Sequence, residues 1–281
     1  MLATFEDGST ARGNVLVGCD GAHSVVRPCL VGAEAAKLAD LDIQMFNLSC
    51  SFPKDIALLQ RKAGHPIFKN SYHPDGFMWW QSIQDVKDPN EPESWLFQNI
   101  LSWIGSPRPE EFPDQQSRLK FWQDKAKEFA DPWKSVGENL PSDMEWTTDR
   151  TTYWKPIDWS SSDLSGIVTI AGDAAHAMPA HRGQGLNNAL EDAAKLVDEL
   201  TAVSTGEKST SDALASYESD MRARVSVEIP MSIAQAQMVH SFDTLINAPF
   251  FKHGMHKYKE DREAAGLRVE NATEPSSKVT V

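Results

Sequence analysis

Apolar residues along the chain follow two periods, which divide it into extended and helical stretches. The opening residues, LATFEDGSTARGNVLVGCDG, read as a strand, an Asp7-Gly8 turn and a second strand at Val15–Val17 that ends at Gly18. Asp-Gly between extended runs is a strong hairpin signal. From about Leu41 to Trp103 the pattern stays extended: Met45–Phe52 alternates, Phe77–Ile83 is aromatic and Trp95–Ile104 is apolar. A Pro- and acid-rich connection, Asp85–Ser94, separates two of these runs and reads as solvated surface. Gln115 to Ala130 then switches to helical spacing, with Leu119, Phe121, Trp122, Ala126 and Phe129 on one face and Asp131-Pro132 as the stop. RTTYWKPI, from Arg150 to Ile157, returns to an extended pattern.

The most informative stretch runs from Gly166 to Leu200, GIVTIAGDAAHAMPAHRGQGLNNALEDAAKLVDEL. Ile167–Ala171 is a short apolar run, the mark of a strand buried on both faces in a helix-covered sheet. Ligands of such sheets bind at the carboxyl ends of the strands, where Gly172 and Asp173 emerge. A short carboxylate there accepts hydrogen bonds from polyol hydroxyls. Pro179 bars helix at its own amide, while Gly183 and Gly185 permit positive φ and close backbone approach. Leu186, Ala189, Leu190, Ala193, Val197 and Leu200 then recur at helical steps, which predicts a helix with that face buried. Its N-terminus, beginning around Leu186 and Asn187, carries unpaired N–H groups and a partial positive charge suited to a ligand that develops negative charge. A second run, VLVGCDGAHSVVR, repeats the theme of strand, glycine, acid, glycine and short helix, with Asp20, Gly21, a capping Ser24 and Arg27 one turn later. After a polar loop, Ala213–Phe242 reads as helix interrupted near Pro230, and the residues from about 264 to 281 are polar and frayed.

Composition narrows the function classes. The 281 residues carry a formal net charge of −13, which disfavours nucleic-acid backbones and anionic membrane surfaces. No apolar run is long enough to span a membrane, and the N-terminus lacks a signal-peptide pattern. Three cysteines without CxxC spacing fit a reducing, cytoplasmic setting, and Cys19 reads as a buried structural thiol. His176 and His181 flank the expected crevice but lack a third ligand, so no metal site is expected. Trp79, Trp80, Trp95 and Trp103 read as core rather than pocket lining, and Val225–Phe242 either covers a pocket or mediates homodimer contacts.

The strings GCDGAHSVVR (18–27) and GDAAHAMPAHRGQGLNNALEDA (172–193) resemble the paired signatures of the class A flavoprotein monooxygenases, the aromatic-hydroxylase type that binds FAD. The resemblance implies an α/β fold: a partial FAD-binding domain of glutathione-reductase-like Rossmann type, an inserted β-sheet substrate domain and C-terminal helices. The corresponding divisions are 1–42 and 151–204 for the FAD-binding parts, 43–150 for the substrate sheet, 205–263 for the helices and 264–281 for a disordered tail. It implies that Asp173 binds the ribityl chain, that Pro179 and the turn Gly183–Asn187 lie against the isoalloxazine, and that Asp20, Gly21 and Arg27 serve the pyrophosphate and nicotinamide nucleotide. The implied reaction uses NAD(P)H to reduce FAD and O2 to hydroxylate an aromatic or polycyclic small molecule, as in secondary metabolism. The family's GxGxxG turn is absent from these residues, so the expectation is a chain that starts inside the flavin domain. The alternatives are a truncated, non-catalytic homologue, or the same flavin chemistry turned to epoxidation or Baeyer–Villiger oxidation.

Overall fold

The computed structural model describes residues 1–65, 67–143 and 146–248. The expected tail, and the end of the C-terminal helical segment, lie outside the described residues.

Two small sheets open the fold. β1 (Leu2–Thr4) and β2 (Thr10–Arg12) form an antiparallel hairpin across Asp7-Gly8. The expected hairpin partner, around Val15–Val17, goes elsewhere. β3 (Leu16–Gly18) pairs in parallel with β9 (Val168–Ile170). The reason is burial: Thr10–Arg12 is polar and exposed, whereas the apolar β3 joins β9, all three of whose residues are buried. Beside β3 sits a short helix, α1 (Arg27–Val31).

The middle of the chain builds a five-stranded antiparallel sheet. Its strands are β4 (Ala39–Cys50), β5 (Phe68–Tyr72), β6 (Met78–Asp85), β7 (Leu96–Ile104) and β8 (Thr147–Tyr153), in the order β5-β6-β7-β4-β8. Alternation gives the sheet two different faces. Phe46, Trp79, Phe97, Leu101 and Trp103 point to an aromatic core closed by α3 (Gln115–Ala126) and α4 (Trp133–Glu138), through Leu119, Trp122 and Trp133. Trp79 and Trp122 are fully buried, with ring centroids 5.4 Å apart. Asp114 caps α3 by accepting from the Ser117 amide at 2.8 Å. The opposite face carries Met45, Met78, Trp80, Ile100 and Ser102. The Trp79-Trp80 pair therefore divides: the first is core, as expected, and the second lines a cavity. The extended reading of Leu41–Trp103 missed α2 (Lys54–Lys62), a helix between β4 and β5.

The last third is helical. α5 (Asp173–His176) follows β9, then come α6 (Gly185–Ser204) and α7 (Thr210–Val239), with α8 (Phe242–Asn247) beyond. α7 runs unbroken through Pro230, contrary to the expected interruption. Loss of one helical hydrogen bond is outweighed by packing on both sides of the proline, where Val225, Ile229, Ala236 and Val239 are buried. The Tyr217 hydroxyl donates to the Ile170 carbonyl at 3.0 Å and ties α7 to β9. No helix among the described residues is long and apolar enough to cross a membrane.

Candidate active site

The carboxyl ends of β3 and β9 open into a crevice of 650 Å³. Gly21, Gly172, Asp173, Gly185 and Leu186 line it, so five of the ten residues singled out by sequence converge there. Gly172 adopts φ 62° and ψ −144°, a conformation confined to glycine, and so turns the chain from β9 into α5. Its amide donates to Asp192 Oδ2 at 2.8 Å. Asp173 is exposed at the start of α5, and its carboxylate takes no hydrogen bond or ion pair among the described residues. α6 begins at Gly185 with no side-chain cap from Gln184 and no acid in its first turn. Its leading amides therefore remain donors without side-chain partners, at the positive end of a 20-residue helix.

Pro179 is buried and starts a 3-10 turn over Ala180–Arg182, which Gly183 ends in the left-handed region at φ 67°. This turn separates the crevice from a second cavity of 390 Å³, lined by Ala180–Gly183 on one side and by the open face of the five-stranded sheet on the other. Register places Met45, Ser102 and Met78 in one row of its wall and Asn70, Trp80 and Ile100 in the next. The wall is mostly apolar, and the volume falls in the range of small-molecule sites. Asn187 is exposed beside the turn and donates to Gln184 Oε1 at 3.3 Å.

Two expected ligands are occupied otherwise. Arg27 is buried, and it donates to the carbonyls of Ala22 (2.7 Å), Ala36 (3.0 Å) and Ala174 (3.0 Å) while stacking over Trp154. It clamps α1 to α5 and does not line the crevice. The Asp20 carboxylate accepts from the amides of Val25 at 2.7 Å and Val26 at 3.2 Å. Burial opposes ionisation there, but Ser24 and these two amides prevail and hold the carboxyl below its ordinary range. Asp20 thus shapes the turn around Gly21. Cys19, expected to be buried, is exposed.

The α6 face expected to be buried is largely open: Leu186, Leu190 and Val197 are exposed, and Leu186, Ala189, Ala193 and Val197 form an apolar wall of the crevice. The inward face is Asn188, Asp192 and Leu196. Asp192 explains why. Its Oδ2 accepts from His176 Nε2 at 2.6 Å as well as from Gly172, and its Oδ1 accepts from Arg224 at 2.5 Å. Burial pushes its carboxyl up, but these donors prevail and hold it below its ordinary value. His176 is therefore fully buried under the crevice rather than flanking it.

His181 lines the second cavity, where Ser102 and His240 join it. Sequence reasoning had no signal for these two, which lie 79 and 138 residues from their partners in the contact. Burial pushes the His181 imidazole down to about 3, and His240 adds to that. Burial also lowers His240, against the opposing bonds to Ala236 and Ser102.

Comparison with known proteins agrees with this geometry. A model of the FAD binding domain family matches residues 149–229. An FAD-dependent monooxygenase of Talaromyces islandicus is 34% identical over 91% of this chain and 63% of its own length. Another, of Penicillium herquei, is 32% identical over 90% of this chain and 62% of its own. The chain thus spans less than two thirds of these relatives. Among solved structures, Klebsiella pneumoniae HpxO complexed with FAD and uric acid superposes with a TM-score of 0.69 at 18% identity, over 95% of this chain and 61% of that one. The tetracycline destructase Tet(51) gives 0.61 at 17%, over 96% and 66%. These likenesses in fold extend over nearly the whole chain.

Proposed function

We propose that this chain is a class A FAD-dependent monooxygenase, as its sequence relatives and its fold support, and that it holds FAD in the crevice and an aromatic substrate in the 390 Å³ cavity. One observation carries the reading: a single turn, Pro179–Asn187, has the uncapped start of α6 and Asp173 on its crevice side and the apolar cavity on the other.

The residues fit the cofactor. Three glycines leave the crevice floor free of side chains, and the unshared Asp173 carboxylate is placed to accept ribityl hydroxyls. The α6 amides offer a positive field where a flavin ring gains negative charge. When bound, FAD supplies the redox chemistry that activates oxygen; the protein supplies position, field and exclusion of water. Met45, Met78, Trp80 and Ile100 hold a planar apolar ring by contact, and Asn70 adds an amide oxygen to the wall. On this reading the electron donor is NAD(P)H, the substrates are a small aromatic molecule and O2, and the free cysteines fit a cytoplasmic setting. The domain divisions read from the sequence are proposed with it: crevice in the FAD-binding parts, cavity wall in the inserted sheet. Asp20 and Gly21 shape the crevice rim, with Arg27 behind it.

Anaerobic addition of NADH or NADPH to the FAD-loaded chain tests the reading. The flavin absorbance should bleach and then return on admitting oxygen. Bound flavin that neither donor bleaches would instead support the non-catalytic alternative.

A further inference from the structure

The cavity contains a polar chain that its apolar walls do not require. His240 Nδ1 lies 2.6 Å from the Ala236 carbonyl, Ser102 Oγ lies 2.9 Å from His240 Nε2, and His181 Nε2 lies 3.4 Å from Ser102 Oγ. The Ala236 carbonyl, which only accepts, and the burial that keeps His240 neutral together set the direction of these bonds. A carbonyl only accepts, so His240 Nδ1 carries the hydrogen. Neutral His240 then has a bare Nε2, which must accept from the Ser102 hydroxyl. That commits the one hydroxyl hydrogen, and only oxygen lone pairs remain to face His181. His181 therefore donates through Nε2–H, and its Nδ1 is a lone pair. This nitrogen is buried and has no hydrogen-bond partner among the described residues. Other buried side-chain atoms among the described residues also lack partners, but His181 alone of these residues lines the cavity, where a bound molecule can supply the donor.

We propose that Ser102 and His240 are positioning residues that hold His181 as the Nε2–H tautomer, so that its Nδ1 accepts a hydrogen bond from a hydroxyl on an aromatic ring in the cavity. The inference rests on the cavity being the substrate site. The chain ends on the Ala236 carbonyl, which cannot take a proton, so it orients and does not conduct. Deep burial keeps His181 neutral, which suits an acceptor of hydrogen bonds rather than of protons. The 3.4 Å spacing to Ser102 is long for such a bond. Selectivity follows: a ring lacking the hydroxyl leaves Nδ1 unpaired, and an ether in its place cannot donate.

The test compares 2-naphthol with 2-methoxynaphthalene by calorimetric titration of the full FAD-loaded chain. The wild-type protein should prefer the naphthol by about tenfold, the worth of one buried hydrogen bond. His181→Phe should abolish the preference, and Ser102→Ala should reduce it. A purely structural role would weaken both ligands together and would overturn the proposal. So would a naphthol preference left unchanged by Ser102→Ala. Nitrogen NMR of histidine-labelled wild-type protein provides a second readout that needs no variant: a protonated Nδ1 on His181 would overturn the proposal even if Ser102→Ala failed to fold. Failure to bind either probe would overturn the substrate reading along with it, whereas binding without preference would overturn this proposal alone.

Discussion

Asp192→Ala removes the group on which the crevice floor rests. Asp192 and His176 are both fully buried, and the carboxylate receives Gly172 N–H at 2.8 Å, His176 Nε2–H at 2.6 Å and Arg224 at 2.5 Å. Truncation to a methyl leaves the first two donors without partners, and each unpaired buried N–H costs about 1–3 kcal/mol. Arg224 is about a fifth exposed and can turn to water, so its share is smaller. The total comes to ~3–5 kcal/mol, in line with breaking a buried ionic network from one side. Urea unfolding followed by tryptophan fluorescence suits this region, since Trp154 and Trp159 pack in the same core as β9 and α7. With a slope of ~3 kcal/mol per molar urea, the midpoint should fall by about 1–1.7 M at unchanged slope. Asp192→Asn, which keeps one acceptor oxygen, should fall between. A drop of less than about 0.3 M for Asp192→Ala would refute the reasoning and show that neighbouring groups or water re-pair the donors.

Two further outcomes follow from the same physics. His181 and His240 have folded-state values pushed below the ordinary imidazole value, so the unfolded chain binds protons that the folded chain refuses. The His181 contribution is complete above about pH 6.5 and is lost as pH falls, at up to ~1.4 kcal/mol per unit, and His240 adds in the same direction. Chemical denaturation between pH 6 and 5 should show stability falling with pH, and His181→Phe should reduce that slope; an unchanged slope would count against a neutral buried His181. Pro230 is exposed within α7, so Pro230→Ala restores a helical hydrogen bond without losing packing. It should raise stability by about 1–2 kcal/mol after allowing for the more flexible unfolded chain, and a thermal midpoint that stays or falls would argue that the proline is packed rather than tolerated.

How far the sequence could be read depended on the range of each signal. Local chemistry was legible: Gly172, Gly183 and the start of α6 lie in one continuous run, and their conformations follow from residue type. Alternation was legible as strand, but not as sidedness. Trp79 and Trp80 look alike in sequence, and only the register of β6 against β7 sends one to the core and the other to the cavity. The periodicity of α6 identified an apolar face but said nothing of what covers it; Asp192, a polar residue, decides which side turns inward. The resemblance implies that Arg27 serves the pyrophosphate; its structural role was not legible because two of its three carbonyl acceptors, Ala36 and Ala174, lie outside its own motif. Ser102 and His240 could not be found at all, since nothing local marks a serine in a strand and a histidine after a helix as partners.

The central claim is that the crevice beside Asp173 holds FAD. Equilibrium dialysis of FAD against the chain, with Asp173→Ala alongside, tests it most directly. The wild-type protein should bind one flavin per chain saturably, and Asp173→Ala should weaken binding at least tenfold, consistent with losing charge-assisted hydrogen bonds to two hydroxyls at about 1.5–3 kcal/mol each. Equal affinity in the two proteins, with the variant folded, would contradict the account.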